Sequence, residues 1–299
     1  MGQTSPSGIL NLDKPAGWTS HDVVAQVRRI TGQKRVGHAG TLDPMATGVL
    51  LLCVGQATRL AEYLMQSTKV YQARVRLGVS TDTYDAEGRV VATSNDIPTD
   101  RAIVERALLQ FVGVIEQVPP MFSAIKHQGQ PLYARARRGE AMEVAARPVH
   151  VHEIQLTEWM PPELEFTVTC GKGTYVRSLA HDLGQALGCG AHLVALRRLS
   201  VGSFRAEDAV TLAELEDAAE KGHWTKLLVP MDEAVKQYPA VVLSENDFAR
   251  VIHGQQITLP VPVQGVLCRA YSPDGNFVAL LAQDQAIDLW HPQKVFWPK

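Results

Sequence analysis

The run GHAGTLDPMATGVLLL, residues 37–52, places one acid, Asp43, between glycine-punctuated turns and ahead of an apolar strand. Gly37, Gly40 and Gly48 permit tight backbone paths and Pro44 fixes φ directly after the acid, so the loop can hold a carboxylate in one pose. An immobilised, ionised carboxylate serves as a nucleophile or a base. The same spacing also suits an Asp-Pro turn whose carboxylate caps backbone N–H groups. Four further islands could converge on Asp43: Lys14 with Pro15, Tyr71, the Tyr175 and Arg177 pair, and Leu196 with Arg197 and Arg198. A guanidinium beside an aspartate lowers its pKa by roughly 1 to 3 units, so an adjacent Arg177 would keep Asp43 charged. Each residue taken singly has an ordinary structural reading: Tyr71 in a core, Arg177 at a helix start, His38 in a loop, Lys126 in solvent.

The elements that must position these groups follow from hydrophobic period and turn chemistry. Gly8 to Leu12 reads as a strand, and Ser20 as the cap of a helix with Val23, Val24, Val27 and Ile30 on one face, ended by Gly32. After the Asp43 loop come a buried strand from Val49 to Val54 and a helix around Thr58 to Met65. The next strand alternates Tyr71, Ala73, Val75 and Leu77 against Gln72, Arg74 and Arg76, so Tyr71 points toward a core or a pocket. A helix from Asp100 to Phe111, strands Val149 to Trp159, Leu164 to Cys170 and Ala191 to Val201, and a helix from Val176 to Leu187 complete the larger part. Strands and helices without strict βαβ alternation imply an α+β domain with a large mixed, mainly antiparallel sheet flanked by helices.

Thr211 and Glu214 form a capping box for an acidic helix, and a proline-bearing connection, Val229 to Pro239, leads to a distinct small unit. There Ser244 starts a short helix, and SPDGN, residues 272–276, joins two strands as a hairpin. We therefore expect a larger domain over 1–232 and a small β-rich domain over 239–299.

Composition narrows the function classes. The 299 residues are 45% hydrophobic, enough for a sizeable core. No apolar run approaches the roughly 18 residues of a membrane span, and no signal-peptide pattern opens the chain. The four cysteines are scattered without metal-ligand spacing, three of them read as buried thiols of a reducing cytoplasm, and no metal is expected. The net charge of -2 hides an asymmetry, because residues 207–247 hold ten acids and three bases. The remainder is basic, with Arg28, Arg29, Lys34 and Arg35 clustered, and Lys126, Arg135, Arg137, Arg138 and Arg147 in a second group. Such clusters can track a phosphate backbone.

In order and wording, these islands resemble the motifs of the TruB family of tRNA pseudouridine synthases. LNLDKPAGWTSHDVV resembles its first motif and GHAGTLDPMATGVLLL its catalytic one. KVYQARVRLGVSTDTYDAEG, PPMFSAIKHQGQPLYARARRG, KGTYVRSLAHDLG and GCGAHLVALRRLSVG resemble the rest, over most of residues 8–232. The resemblance implies isomerisation of the T-loop uridine at position 55 of tRNA to pseudouridine, by base flipping and exchange of a C–N for a C–C glycosidic bond, without a cofactor. It makes Asp43 the catalytic aspartate, acting at uracil C6 or in departure of the base from C1′. Tyr71 becomes the ring that stacks on the uracil, Arg177 the partner of the aspartate, and Tyr175 and Leu196 the lining of the base pocket. His38 would fill space near the emptied stack, Asp85 belong to the polar network, and Lys14 stand at the substrate. Arg59 and Lys126 would meet phosphates. The carboxy-terminal unit resembles the PUA-like domain of bacterial members, implying an auxiliary contact near the acceptor end, and we expect a cytoplasmic monomer.

Two other readings use the same residues. A tRNA-binding module that assists RNA folding needs the surface and not the acid. A glycoside hydrolase needs a second carboxylate paired with Asp43, for which Asp85 is the candidate.

Overall fold

Alternating apolar residues build one large sheet, and its strands carry most of the candidate groups. The computed structural model describes residues 6–121, 126–127, 130–131, 144–259, 262–286 and 288–297. In chain order the elements are β1 (Gly8–Lys14), α1 (Ser20–Thr31), β2 (Val36–His38), β3 (Thr47–Val54), α2 (Ala61–Gln66), β4 (Lys69–Leu77), β5 (Val79–Thr81), β6 (Val90–Thr93), α3 (Arg101–Leu109) and β7 (Gly113–Gln117). There follow β8 (Lys126–His127), β9 (Gln130–Pro131), β10 (Arg147–Met160), β11 (Glu163–Cys170), α4 (Val176–Ala186), β12 (Ala191–Val201), β13 (Phe204–Arg205) and α5 (Leu212–Glu220). The chain closes with β14 (Ala240–Val242), α6 (Glu245–Ile252), β15 (Leu267–Tyr271), β16 (Phe277–Asp284) and β17 (Leu289–Val295).

Nine strands form the large sheet in the order β1-β3-β12-β4-β11-β10-β7, with β2 beside β3 and β13 beside β12. All its pairs are antiparallel except β3 with β12, which meet in parallel over Arg197 with Thr47 and Arg198 with Gly48. The fold is therefore the mixed, mainly antiparallel α+β sheet expected. A buried cluster joins Leu10, Leu12, Val23, Val27, Ala73, Phe166, Leu179 and Leu183, packing α1 and α4 on the sheet. Phe166 and Val168 of β11 are fully buried opposite Ala73 and Tyr71.

A four-stranded sheet, β14-β15-β16-β17, forms the carboxy-terminal unit. Leu280 and Phe296 from this unit join Ile9, Val49, Leu51, Ala57 and Tyr63 in one apolar cluster, so the two sheets share buried surface.

Two local expectations need correction. The cap of α1 is Thr19: its side chain accepts from Asp22 N at 3.1 Å while the Asp22 carboxylate accepts from Thr19 N at 2.9 Å. Ser20 is left to turn inward. The expected helix over 58–65 is split, with a 3-10 stretch over Gly55–Leu60 before α2. Four short pairings, β2 with β3, β5 with β6, β8 with β9 and β14 with β15, lie where the sequence carries no run long enough to show alternation.

The β3 and β12 contact requires a glycine. Gly48 has φ +95°, and a Cβ there would stand 2.2 Å from the Arg198 carbonyl oxygen. Gly48→Ala is expected to cost at least about 2 kcal/mol, combining a left-handed backbone with overpacking. Chemical denaturation against the parent protein measures it.

Candidate active site

Because β3 and β12 touch at only two positions, the loop that enters β3 lies beside the sheet, and side chains supply much of its main-chain pairing. Ser20 Oγ receives a hydrogen bond from Leu42 N at 2.9 Å and donates to Leu42 O at 3.2 Å. Lys14 Nζ donates to the carbonyls of Pro15 at 2.9 Å, Trp18 at 2.6 Å and Pro44 at 3.0 Å. Arg198 donates from Nε to Val49 O at 2.7 Å, from Nη2 to Gly40 O at 3.2 Å and from Nη1 to Thr41 O at 3.4 Å. Arg197 grips Asp13 with both nitrogens, at 3.1 and 2.7 Å, while Asp13 also accepts from Gly48 N at 3.0 Å. Asp43 is thus carried on a backbone fastened on several sides.

The side chain of Asp43 meets Arg177 at the start of α4, Oδ1 to Nη2 at 2.9 Å. The same guanidinium donates through Nη1 to Asp85 Oδ2 at 3.3 Å and to Thr83 O at 3.4 Å. The Arg177 and Asp85 side chains are 5% and 6% exposed, whereas Asp43 is 31% exposed, so only Asp43 faces outward. Burial pushes the Asp43 carboxyl above the ordinary aspartate range; Arg177 opposes this, Asp85 reinforces it, and Lys14 acts with Arg177. The expected downward pull of Arg177 is present, yet desolvation exceeds it.

Asp43 opens on a cavity of about 500 Å³ lined by Lys69, Tyr71, Tyr175, Leu196 and Arg198 among others. That volume is in the usual range for a ligand site. Tyr71, 8% exposed, faces Val168 across β11 and Arg198 across β12. Its hydroxyl lies 3.5 Å from Arg198 Nη1, and burial raises its pKa above the usual phenol value. Leu196 and Tyr175 supply apolar wall, and the main chain of Tyr175 is held by Gln117. Among the described residues no group of three or more His, Cys, Asp or Glu is placed to hold a metal ion.

Asp43, Tyr71, Arg177, Tyr175 and Leu196 are therefore brought together as a cleft. Four other expected residues stand differently. Lys14 is fully buried and spends its ammonium on three carbonyls, so it supports the loop and does not present itself to a substrate; burial lowers its pKa to about 8. Asp85 sits behind Arg177, accepting also from Glu87 N at 3.1 Å, and faces away from the cleft. Two carboxylates on one guanidinium do not flank a glycosidic bond, which removes the hydrolase reading. Arg59 donates to Val295 O and lies over the Phe296 ring, 5.2 Å from its centroid, tying the carboxy-terminal unit down where a phosphate contact was expected. His38 is half-buried outside the cleft wall, edge-on to His21 at 5.2 Å, with its pKa lowered first by burial. The Lys126 side chain lies outside the described residues.

Lys69 and Gln117 lie outside the islands expected from the sequence, whereas Arg198 belongs to the one with Leu196 and Arg197. Lys69 donates to Met65 O at 2.6 Å and to Ser67 O, and burial lowers its pKa to about 8. The available signal was parity. Lys69 shares the inward register of Tyr71 and Ala73, and Arg198 that of Leu196, and a charge at an inward position demands partners. Gln117 carries no comparable signal, since β7 is short and lies at the sheet edge.

Residues 28–176 match the TruB family pseudouridylate synthase (N terminal domain), and residues 177–236 match the tRNA pseudouridylate synthase B C-terminal domain. The chain is 44% identical over 289 residues to a tRNA pseudouridine synthase B of Dehalococcoides mccartyi, covering 97% of this chain and 96% of that protein. It is 43% identical over 293 residues to a protein of the same name from Burkholderia mallei, covering 96% of each. Among solved structures it resembles a chain of an H/ACA RNP bound to a substrate RNA containing 2'-deoxyuridine, with TM-score 0.75 and 29% identity over 97% of this chain and 85% of that one. A chain of a Cbf5-Nop10-Gar1 complex is similar at TM-score 0.75 and 32% identity, over 97% and 85%.

The raised Asp43 carboxyl has a consequence for stability. A group whose pKa is higher folded than unfolded adds stability below the unfolded value, and loses it as pH rises through the folded value. At neutral pH the ionised acid is a liability to the fold. Asp43→Asn is therefore expected to raise the denaturation midpoint at pH 7, with the gain shrinking as pH falls toward the ordinary aspartate pKa of about 3.9. Paired denaturant titrations across that range check both signs.

Proposed function

Because this chain belongs to the TruB family and is a tRNA pseudouridine synthase, converting uridine to pseudouridine, we propose that it acts on the T-loop uridine at tRNA position 55 and that Asp43, Tyr71 and Arg177 carry the exchange. The reading rests on the Asp43 and Arg177 pair, 2.9 Å apart, at the floor of a cleft that one base can enter.

A uracil stacked within a folded loop is out of reach of any side chain, so it must be extruded at a cost of a few kcal/mol. Stacking on an aromatic ring returns roughly 1 to 3 kcal/mol, and Tyr71 offers that ring. Asp43 then engages the nucleotide at uracil C6 or assists departure of the base from C1′. The N1–C1′ bond breaks, the base turns within the cavity, C5 bonds to C1′, the C5 proton is lost and N1 takes up a proton, so the product is an isomer of the substrate with the Asp43 carboxylate regenerated. Arg177 keeps enough of the Asp43 carboxyl ionised against burial, and Asp85 fixes the guanidinium from behind. Tyr175 and Leu196 confine the base as it rotates. A pre-placed acid matters because correct positioning alone supplies a large share of a barrier.

In this reading residues 1–232 form the catalytic domain and residues 239–299 a PUA-like domain that adds a contact near the acceptor end. His38 fills space beside the emptied stack, and Lys126 meets a phosphate. The protein works as a monomer in the cytoplasm; among the described residues no helix is long and apolar enough to cross a membrane.

Asp43→Asn is expected to abolish pseudouridine formation on an unmodified tRNA transcript while changing tRNA affinity by less than about threefold, because the acid acts in the chemical step and not in backbone recognition. Chemical mapping of pseudouridine and filter binding read the two effects separately. A T-loop uridine-to-cytidine transcript serves as control, and equal loss of binding would assign Asp43 to the fold.

A further inference from the structure

The turn that carries Tyr175 and Arg177 is held by a residue to which the reaction itself assigns nothing. Gln117 ends β7 at the edge of the large sheet, and its side chain is 1% exposed as part of the residue. Its Oε1 accepts from Tyr175 N at 2.7 Å, and its Nε2 donates to Tyr175 O at 3.1 Å. A single carboxamide thus pairs with both main-chain groups of one residue, as a neighbouring strand would. Tyr175 is the extended N-cap residue of α4, and its own side chain makes no capping bond there. One residue beyond Gln117, the Val118 carbonyl accepts from Ser178 Oγ at 2.8 Å, a third bond across the same seam. Ser178 is also 1% exposed, so both side chains that reach across the seam are buried and their bonds are costly to lose.

We propose that Gln117 is a positioning residue for pseudouridine formation: by pairing with the main chain of Tyr175 it sets where α4 begins, and so where Tyr175 lines the cavity and Arg177 meets Asp43. The distance from clamp to chemistry is short. Arg177 is two residues beyond Tyr175, and its 2.9 Å bond to Asp43 opposes the upward push of burial on that carboxyl. A shift of the α4 start lengthens that bond, leaves more of Asp43 protonated at a given pH, and loosens the wall around the base. Gln117 does not line the cavity, so it acts through Tyr175 and Arg177 and touches no substrate there.

This inference rests on the function proposed above, and the two fail differently. Single-turnover pseudouridine formation is measured with the full chain and an unmodified tRNA transcript, across pH, for the parent protein, Gln117→Met and Gln117→Glu. Absence of activity in the parent overturns the functional reading. With an active parent, Gln117→Met, similar in length and unable to pair, is expected to lose roughly 10- to 100-fold in rate, with tRNA affinity within about threefold of the parent and a folded circular dichroism spectrum. The acid limb of its rate profile should move to higher pH, which a general loss of stability would not produce. Gln117→Glu keeps the acceptor for Tyr175 N and is expected to fall between the two. Should Gln117→Met fail to fold, Gln117→Glu decides alone, by a reduced rate with an upward-moved acid limb. A rate within twofold of the parent, an unmoved acid limb, or a rate loss matched by lost tRNA binding overturns the proposal.

Discussion

One buried guanidinium organises this molecule's chemistry. Arg177 stands between Asp43 and Asp85, and of the two acids Asp43 is the one turned outward, so a buried ion pair and a partly exposed one share a single cation. Removing one partner of a buried pair leaves an uncompensated charge, and here the sharing divides the labour. Asp85 accepts from Nη1 of Arg177, and Asp43 accepts from Nη2. Burial and Asp85 press that charge toward protonation, and Arg177 and Lys14 press it back. The acid is therefore held at a compromise set by three charged groups and by burial.

That compromise needs a stationary backbone, and the sheet does not provide one directly. The loop before β3 is fastened by Ser20, Lys14 and Arg198, which between them reach the main chain of Gly40, Thr41, Leu42, Pro44 and Val49. Two of the three are cations inside the protein, and they donate to carbonyls instead of pairing with acids. Carbonyl oxygens give a buried cation several partners at fixed positions. Lys14 shows the accompanying cost in its lowered pKa.

The architecture was legible because it is written in long alternating runs. Tyr71 to Leu77 and Leu164 to Cys170 each repeat with period two for long enough to declare a face, and both are strands of the large sheet. The core of the site was legible for another reason: Asp43, Tyr71, Arg177, Tyr175 and Leu196 sit in motifs whose wording resembles a known family. What the residue types did not reveal is which way a charge is spent. Lys14, Asp85 and Arg59 share motifs with the site, yet hydrogen bonds turn them toward the loop, the back of Arg177 and the carboxy-terminal sheet. Those bonds span 30, 92 and 236 residues of chain, so no local pattern encodes them. Gln117 is hidden for the same reason, its partner being 58 residues away.

The attachment of the carboxy-terminal sheet deserves a mechanical reading. Arg59, Tyr63 and Glu62 reach Val295, Gln293 and Lys294, and Phe296 and Leu280 enter an apolar cluster with Ile9, Val49 and Leu51. Val49 and Leu51 belong to the strand that leaves the Asp43 loop. The two sheets are thus welded through one hydrophobic seam, and separating them would wet the back of the strand that carries the site. A fragment cut off before β14 would bare that apolar face to water.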